Sequence, residues 1–203
     1  MDGDKKVFVF GSHSHDDHFN PDIVKNLKDY PRVEYILSDD IRFRDQNKIT
    51  RLAPGECYET GDGAGNSIVV RTFPSTDCGV AFLITYQSQN IYHAGDLNCW
   101  VWKEDDEEAN RVMEDSYQKI LALIKEAVPA IDVAFLPLDP RQEEWYAKGM
   151  NKFMEQLDVK TVFPMHFWKK HGIIEQLKAS EEAEHYAERV MTIQEEGQSF
   201  KVV

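Results

Sequence analysis

Basic residues are in short supply in this chain. Twenty-three lysines and arginines face 36 aspartates and glutamates, leaving a formal net charge of -13 over 203 residues. A nucleic acid would meet a repulsive field, with no basic stripe to release its counterions, so no partner of that class is expected. Small anionic substrates are not, because a bound dication would invert the local potential. Cysteine is scarce too. Cys57, Cys78 and Cys99 are too few for a disulfide framework and show no C-x-x-C spacing, which fits the reduced thiols of a cytoplasmic protein. Long apolar runs are missing: the opening "MDGDKKVFVFG" is too short for a signal peptide, and no segment can span a bilayer, so no membrane partner is expected. Nor is there an internal repeat, a low-complexity linker or a composition break. With 42% hydrophobic and 29% charged residues, the expectation is one soluble domain over residues 1–203 with a real core.

What is present alternates between strand and helix signals. "KVFVF" (6–10) reads as a strand ending at Gly11, and "NPDIVKNLKDY" as a helix with Asn20 at the N-cap and Pro21 in the first turn. "VEYIL" (33–37) is a second strand. "SIVVRTF" (67–73), "VAFLITY" (80–86) and "NIYHA" (90–94) read as consecutive antiparallel strands. "KEDDEEAN" (103–110) reads as a solvated acidic loop leading into the strongest helix, "RVMEDSYQKILALIKEAV", whose Val112, Met113, Ile120, Leu123, Ile124 and Ala127 recur at helical spacing. "DVAFLPL" (132–138) and "KTVFPM" (160–165) are strands around a helix, "QEEWYAKGMNKFMEQL". A helix over 174–189 and two closing strands, "VMTI" and "SFKVV", complete a reading of sheet layers covered by helices.

One stretch stands apart. "HSHDDH" (His13–His18) gathers three of the seven histidines and two aspartates into the loop between the first strand and the first helix. Chain leaving a strand is nearly extended, so side chains two apart point the same way. His13 and His15 can converge on one point, while Asp17 and His18 face a second point nearby. Imidazole nitrogen with carboxylate oxygen suits zinc, and also iron or manganese. The plainer alternative is a solvated polar turn.

The same six residues match His-x-His-x-Asp-His, and so the chain resembles the metallo-β-lactamase-fold metal-dependent hydrolases. "IYHAGDLN" supplies Asp96 where that family has an aspartate bridging two metals, and "TVFPMHFW" supplies His166 where it has a late-strand histidine. The middle of the chain is similar to uncharacterised bacterial members, a small-molecule hydrolase-like branch. The resemblance implies an α/β fold, an αββα sandwich, here with an abbreviated N-terminal sheet because only twelve residues precede His13. The family's intermediate histidine has no counterpart, since none occurs between His18 and His93. "STDCGVAF" puts Asp77 in its place, with a turn residue as the alternative role. The implied centre is two divalent ions, zinc first, with iron or manganese also compatible. His13, His15 and Asp77 would hold one ion, Asp17, His18 and His166 the other, and Asp96 would bridge.

Water between two dications loses its proton near neutral pH and can attack a carbonyl or phosphorus centre. The implied function is a metal-dependent hydrolase of a small-molecule ester, lactone or phosphodiester. Asp17 is the expected catalytic side chain, orienting the nucleophile or carrying a proton. A non-hydrolytic iron redox protein and a catalytically degenerate binding member remain open beside it. Three expectations concern bystanders: His93 is structural or a supporting donor, His171 and His185 lie at the surface, and Trp100, Trp102 and Trp168 either wall a pocket or pack. A first sheet short of strands also leaves open edges through which two copies could pair.

Overall fold

The computed structural model describes residues 5–202. Its first sheet has three strands, all parallel, in the order β1 (Val7–Gly11), β2 (Val33–Ser38), β3 (Lys48–Leu52). Its second sheet has six: β4 (Cys57–Gly61), β5 (Ser67–Pro74), β6 (Val80–Tyr86), β7 (Gln89–His93), β8 (Ile131–Pro137) and β9 (Val159–Met165), in sequence order. Pairing is antiparallel from β4 to β7 and parallel from β7 to β9. The parallel pair β7–β8 is made possible by a long crossover through α2 (Glu107–Ala127).

The period of two in β2 sorts the layers. Ile36 joins Leu52, Ile68, Val70, Val80 and Phe82 in a core between the sheets, while Val33, Tyr35 and Leu37 face outward. That outer face is covered by α1 (Ile23–Asn26) and by the 39–47 connection, which buries Ile41 and Phe43. The second sheet's outer face carries the largest core, against α2, α3 (Lys148–Gln156) and α4 (Gly172–Lys178). Helix, sheet, sheet, helix is the expected αββα order, and the first sheet is short, as expected.

Glu34 ties the sheets together. It is buried on β2 and takes Lys6 Nζ at 2.7 Å, Lys48 Nζ at 2.9 Å, the Tyr58 hydroxyl at 2.5 Å and the Thr60 hydroxyl at 3.0 Å. Tyr58 and Thr60 sit on β4, in the opposite sheet. Burial alone would raise the carboxyl's pKa, but the hydrogen bonds from Lys6, Tyr58, Lys48 and Thr60 outweigh it and hold the group at about 2.

Several elements differ from their sequence reading. The first helix is a single turn: Asn20 Oδ1 accepts from Asp22 N at 2.9 Å, closing an Asx turn ahead of it instead of capping it. The acidic stretch 103–110 is no plain loop, because Asp106 caps α2 by accepting from Ala109 N at 2.7 Å, and Glu107 and Glu108 complement the dipole in its first turn. The buried stripe of α2 is Tyr117, Ile120, Leu121 and Ile124, leaving Val112 and Leu123 exposed. The helix expected over 142–157 is interrupted: Pro140–Trp145 is 3-10 and kinked within itself at Glu143, whose φ is 52°, and α3 begins only at Lys148. The helix expected over 174–189 ends with α4 at Lys178 and resumes only as a 3-10 turn, Ala187–Arg189. "VMTI" forms no strand beyond an isolated Val162–Val190 bridge, and "SFKVV" is coil up to Val202, with Val203 outside the described residues.

Candidate metal centre

His13, His15 and His18 follow β1, Asp96 follows β7, and His166 follows β9, so three strand ends drawn from both sheets meet at one point. Ser12 sets two of these three rings, its hydroxyl lying 3.2 Å from Nδ1 of both His13 and His18, which turns each Nε2 inward. Ser14 N donates to Asp40 Oδ2 at 2.9 Å and anchors the loop between them. Two glycines permit the approach. A Cβ on Gly79 would lie 2.0 Å from Ser12 O and one on Gly95 2.7 Å from Ser12 Cβ, and both residues have positive φ. The 96–101 loop is fixed from behind by Asn98, whose side chain donates to Gln142 Oε1 at 2.9 Å while its backbone carbonyl accepts from the Thr76 hydroxyl at 2.6 Å.

The donor atoms fall into two groups. In the first, His13 Nε2 is 3.0 Å from His15 Nδ1 and 3.5 Å from Asp96 Oδ2. In the second, Asp96 Oδ1 is 3.0 Å from His18 Nε2 and 2.8 Å from His166 Nε2, and those nitrogens are 3.1 Å apart. Asp17 joins the second group, its Oδ2 3.6 Å from His18 Nε2. Asp96 thus sends one oxygen to each group. Burial would raise its pKa, but His166 and His18 hold it well below the carboxylate range.

These residues fit metal ions. A tetrahedral zinc with bonds of about 2.0–2.1 Å needs ligand atoms about 3.3 Å apart, and the short spacings here lie near that value. The His18 and His166 Nε2 atoms, 3.1 Å apart, both face Asp96 Oδ1, the converging nitrogen and oxygen donor set of a metal site. Asp96 Oδ1 is buried and, despite these close nitrogens, makes no hydrogen bond of good geometry among the described residues, as expected where a cation joins the donors.

Asp77, expected beside His13 and His15, is exposed and lies outside both groups. Its side chain contacts Cys78, and its backbone N–H donates to Ser75 Oγ at 3.1 Å. Asp77 does line a shallow depression of about 380 Å³ with Asp96, Trp100, Trp102, Asp105 and Arg141. The residue that sequence reasoning missed is Asp139. Fully buried after β8, it lies 3.5 Å from His166 Nδ1, accepts from Trp168 Nε1 at 3.2 Å, and holds Arg141 through bonds of 2.9 and 3.0 Å from Nε. Burial opposes its charge, but His166 and Arg141 keep it ionised. Burial likewise pulls His166 down, yet Asp139 and Asp96 raise its pKa to about 9. The one available signal for Asp139 was "LDP", a polar residue ending a buried strand.

His166, Trp168 and Lys169 all take positive φ, of 60°, 50° and 61°, so the ligand loop after β9 is strained where it meets the site. Trp100 and Trp168 flank the His166 ring, each with centroids 5.9 Å away. Trp100 is buried and stacks on Trp102, whereas Trp168 is 48% exposed beneath the Arg141 guanidinium, so packing describes the first and pocket wall the second. His171 Nδ1 bonds Ile193 O at 2.8 Å, and His185 is exposed. No helix among the described residues is long and apolar enough to cross a membrane.

No family model and no curated protein matches this sequence. Solved structures do. The chain is similar to Igni18, a metallo hydrolase from the hyperthermophilic archaeon Ignicoccus hospitalis, at 17% identity and a TM-score of 0.66, over 93% of this chain and 76% of that one. It is similar to the metallo-β-lactamase fold protein YhfI from Bacillus subtilis, at 12% identity and a TM-score of 0.55, over 91% and 73%. A third likeness, to the diiron β-hydroxylase CmlA from Streptomyces venezuelae, covers 79% of this chain but 35% of that one, at 10% identity and a TM-score of 0.51. The layered sheets, the ligand-bearing strand ends and these likenesses together give the chain the metallo-β-lactamase fold.

Proposed function

We propose that this protein is a metal-dependent hydrolase of a small molecule, with two ions held by His13, His15 and Asp96 on one side and by Asp17, His18, His166 and Asp96 on the other. The observation that carries this reading is the division of Asp96, Oδ2 toward one imidazole pair and Oδ1 toward the other. Two divalent ions there would make water nucleophilic near neutral pH and neutralise negative charge developing on the attacked oxygen. Everything else falls to the chain. Ester hydrolysis joins a water oxygen to the acyl carbon, breaks that carbon's bond to the leaving oxygen, and delivers one water proton to the leaving alcohol. Asp17, whose side chain is about half exposed, stands at the open side of the second group and is the residue to carry that proton. Asp139 fixes the His166 ring from behind, and Trp168 walls the site from solvent.

The second reading is an iron redox centre. It draws support from the likeness to the diiron CmlA and from a donor set of nitrogen and oxygen with no thiolate, which iron accepts as readily as zinc. Elemental analysis of protein expressed without added metal, followed by turnover assays with zinc-loaded, iron-loaded and chelated samples on ester, lactone and phosphodiester panels, decides between them. Two ions per chain and zinc-supported hydrolysis that chelation abolishes are expected. A protein that binds ions yet hydrolyses nothing with either metal would overturn the hydrolase reading.

A further inference from the structure

The two sheets are unequal, three strands facing six, and the mismatch leaves part of the second sheet's inner face uncovered. On β7 and β8 the outward Tyr92 and Ala134 are fully buried under the helices, whereas the inward Ile91, His93, Val133 and Phe135 are only half-buried. Where this face reaches the metal centre a cavity of about 400 Å³ opens, walled by Phe10, Phe82, Met165 and Trp168. Its other end is formed by His18 and His166, so it is continuous with the second ligand group. A volume of this order suits a small molecule.

Beyond Ser12 and Asp17 at the ligand end, the apolar wall is interrupted by His93. His93 Nδ1 accepts the Gly95 N–H at 3.0 Å, so the proton of the neutral ring must sit on Nε2. Burial keeps the ring neutral, lowering its pKa to about 4. The only hydrogen bond of the ring among the described residues is the one at Nδ1, which leaves Nε2–H as a donor on a cavity-lining side chain. Phe82 and Phe135 are the cross-strand partners of His93, and the Phe135 ring packs against the imidazole with centroids 5.7 Å apart.

We propose that this cavity is an acyl pocket, in which an apolar acyl chain lies against Phe10, Phe82 and Met165 while His93 Nε2–H donates to a neutral oxygen on that group. A phosphodiester is disfavoured inside the pocket, because an anionic group there would face an apolar wall and the Asp17 carboxylate with only the His93 N–H and the Ser12 hydroxyl as neutral donors. The attraction of bound ions for an anion acts at the ligand end alone. The substrate is then a neutral carboxylic ester or lactone with an apolar acyl part. That last step rests on the hydrolase reading, whereas the binding itself does not.

The test uses the zinc-loaded full chain and two neutral ligands: N-phenyl-1-naphthylamine, fluorescent in apolar surroundings, and 2-nonanone, which carries a carbonyl acceptor and cannot be hydrolysed. Saturable probe fluorescence, displaced by 2-nonanone, is expected. Asn keeps an acceptor for Gly95 but cannot reach the position of Nε2, so H93N should weaken the ketone about three- to tenfold and the probe less than twofold. Gln reaches that position, so H93Q should restore the ketone affinity. Equal weakening of both ligands in H93N, or no displacement by the ketone, overturns the proposal. In parallel, kcat/KM for p-nitrophenyl esters should climb from acetate to octanoate and exceed that for bis-p-nitrophenyl phosphate. His93-dependent ketone binding without ester turnover keeps the pocket and removes the hydrolase reading. Ester turnover indifferent to chain length, without ketone binding, does the reverse.

Discussion

Asp96 is the side chain on which the centre turns, because its two oxygens serve different imidazole groups. Asp96→Ala should therefore lose both ions at once, read as metal per chain by elemental analysis, whereas His15→Ala should lose one. Asp139→Asn should keep the fold and both ions at high metal but weaken the second site about 10- to 100-fold, the usual effect of removing a carboxylate behind a ligating histidine. A competition titration against a chromophoric chelator measures it, and unchanged affinity would mean Asp139 serves only Arg141 and Trp168. Asp77, exposed and apart from both groups, should be dispensable, so that Asp77→Ala binds as much metal as the parent. Sequence reached the histidine cluster because spacing along extended chain is a local property. Asp139 was out of its reach, because its role exists only through a contact with His166, 27 positions further on.

The strands with strong β-branched and apolar runs, β1, β2 and β5 to β9, were legible in the sequence. β3 and β4 were not: "KITRL" and "CYETG" are five residues each, place polar side chains side by side instead of alternating them, and bury only Leu52, so nothing in their pattern separates them from loop. Their importance emerges through Glu34, which reaches Lys48 on β3 and Tyr58 and Thr60 on β4. The carboxyl titrates at about 2 in the fold against an ordinary 4.5. With its folded pKa depressed, its contribution is complete above about pH 4.5 and drains away as pH falls toward 2. Urea unfolding of Glu34→Gln should show a loss of about 2 kcal/mol at pH 7 and a shallower decline between pH 4.5 and 2 than the parent. Parallel declines would exclude Glu34 as the source. The misreading of a helix over 174–189 has a tertiary cause. Stretches such as 179–186 have helix-favouring composition, yet they are set by how Ala183 and Tyr186 pack into the core, and tertiary context overrides weak local preference.

Across the full chain, the proposed centre predicts that stability and metal content are linked, since ions that bind only the folded form stabilise it. At free metal about 100 times Kd the contribution is about 2.7 kcal/mol, so chelation should lower Tm by roughly 5–11 °C for a protein of this size, reversed on adding zinc back. A Tm indifferent to chelation would mean the donors do not close on an ion. The ligands come from loops of both sheets, the His13–His18 segment from the first and Asp96 and His166 from the second. Neither half owns a complete binding site, so on the folding pathway ion capture must wait until the layers have docked. A rapid-mixing experiment with a zinc-sensitive dye would then see uptake only in the slowest refolding phase, which makes the ion a clock for the last assembly step.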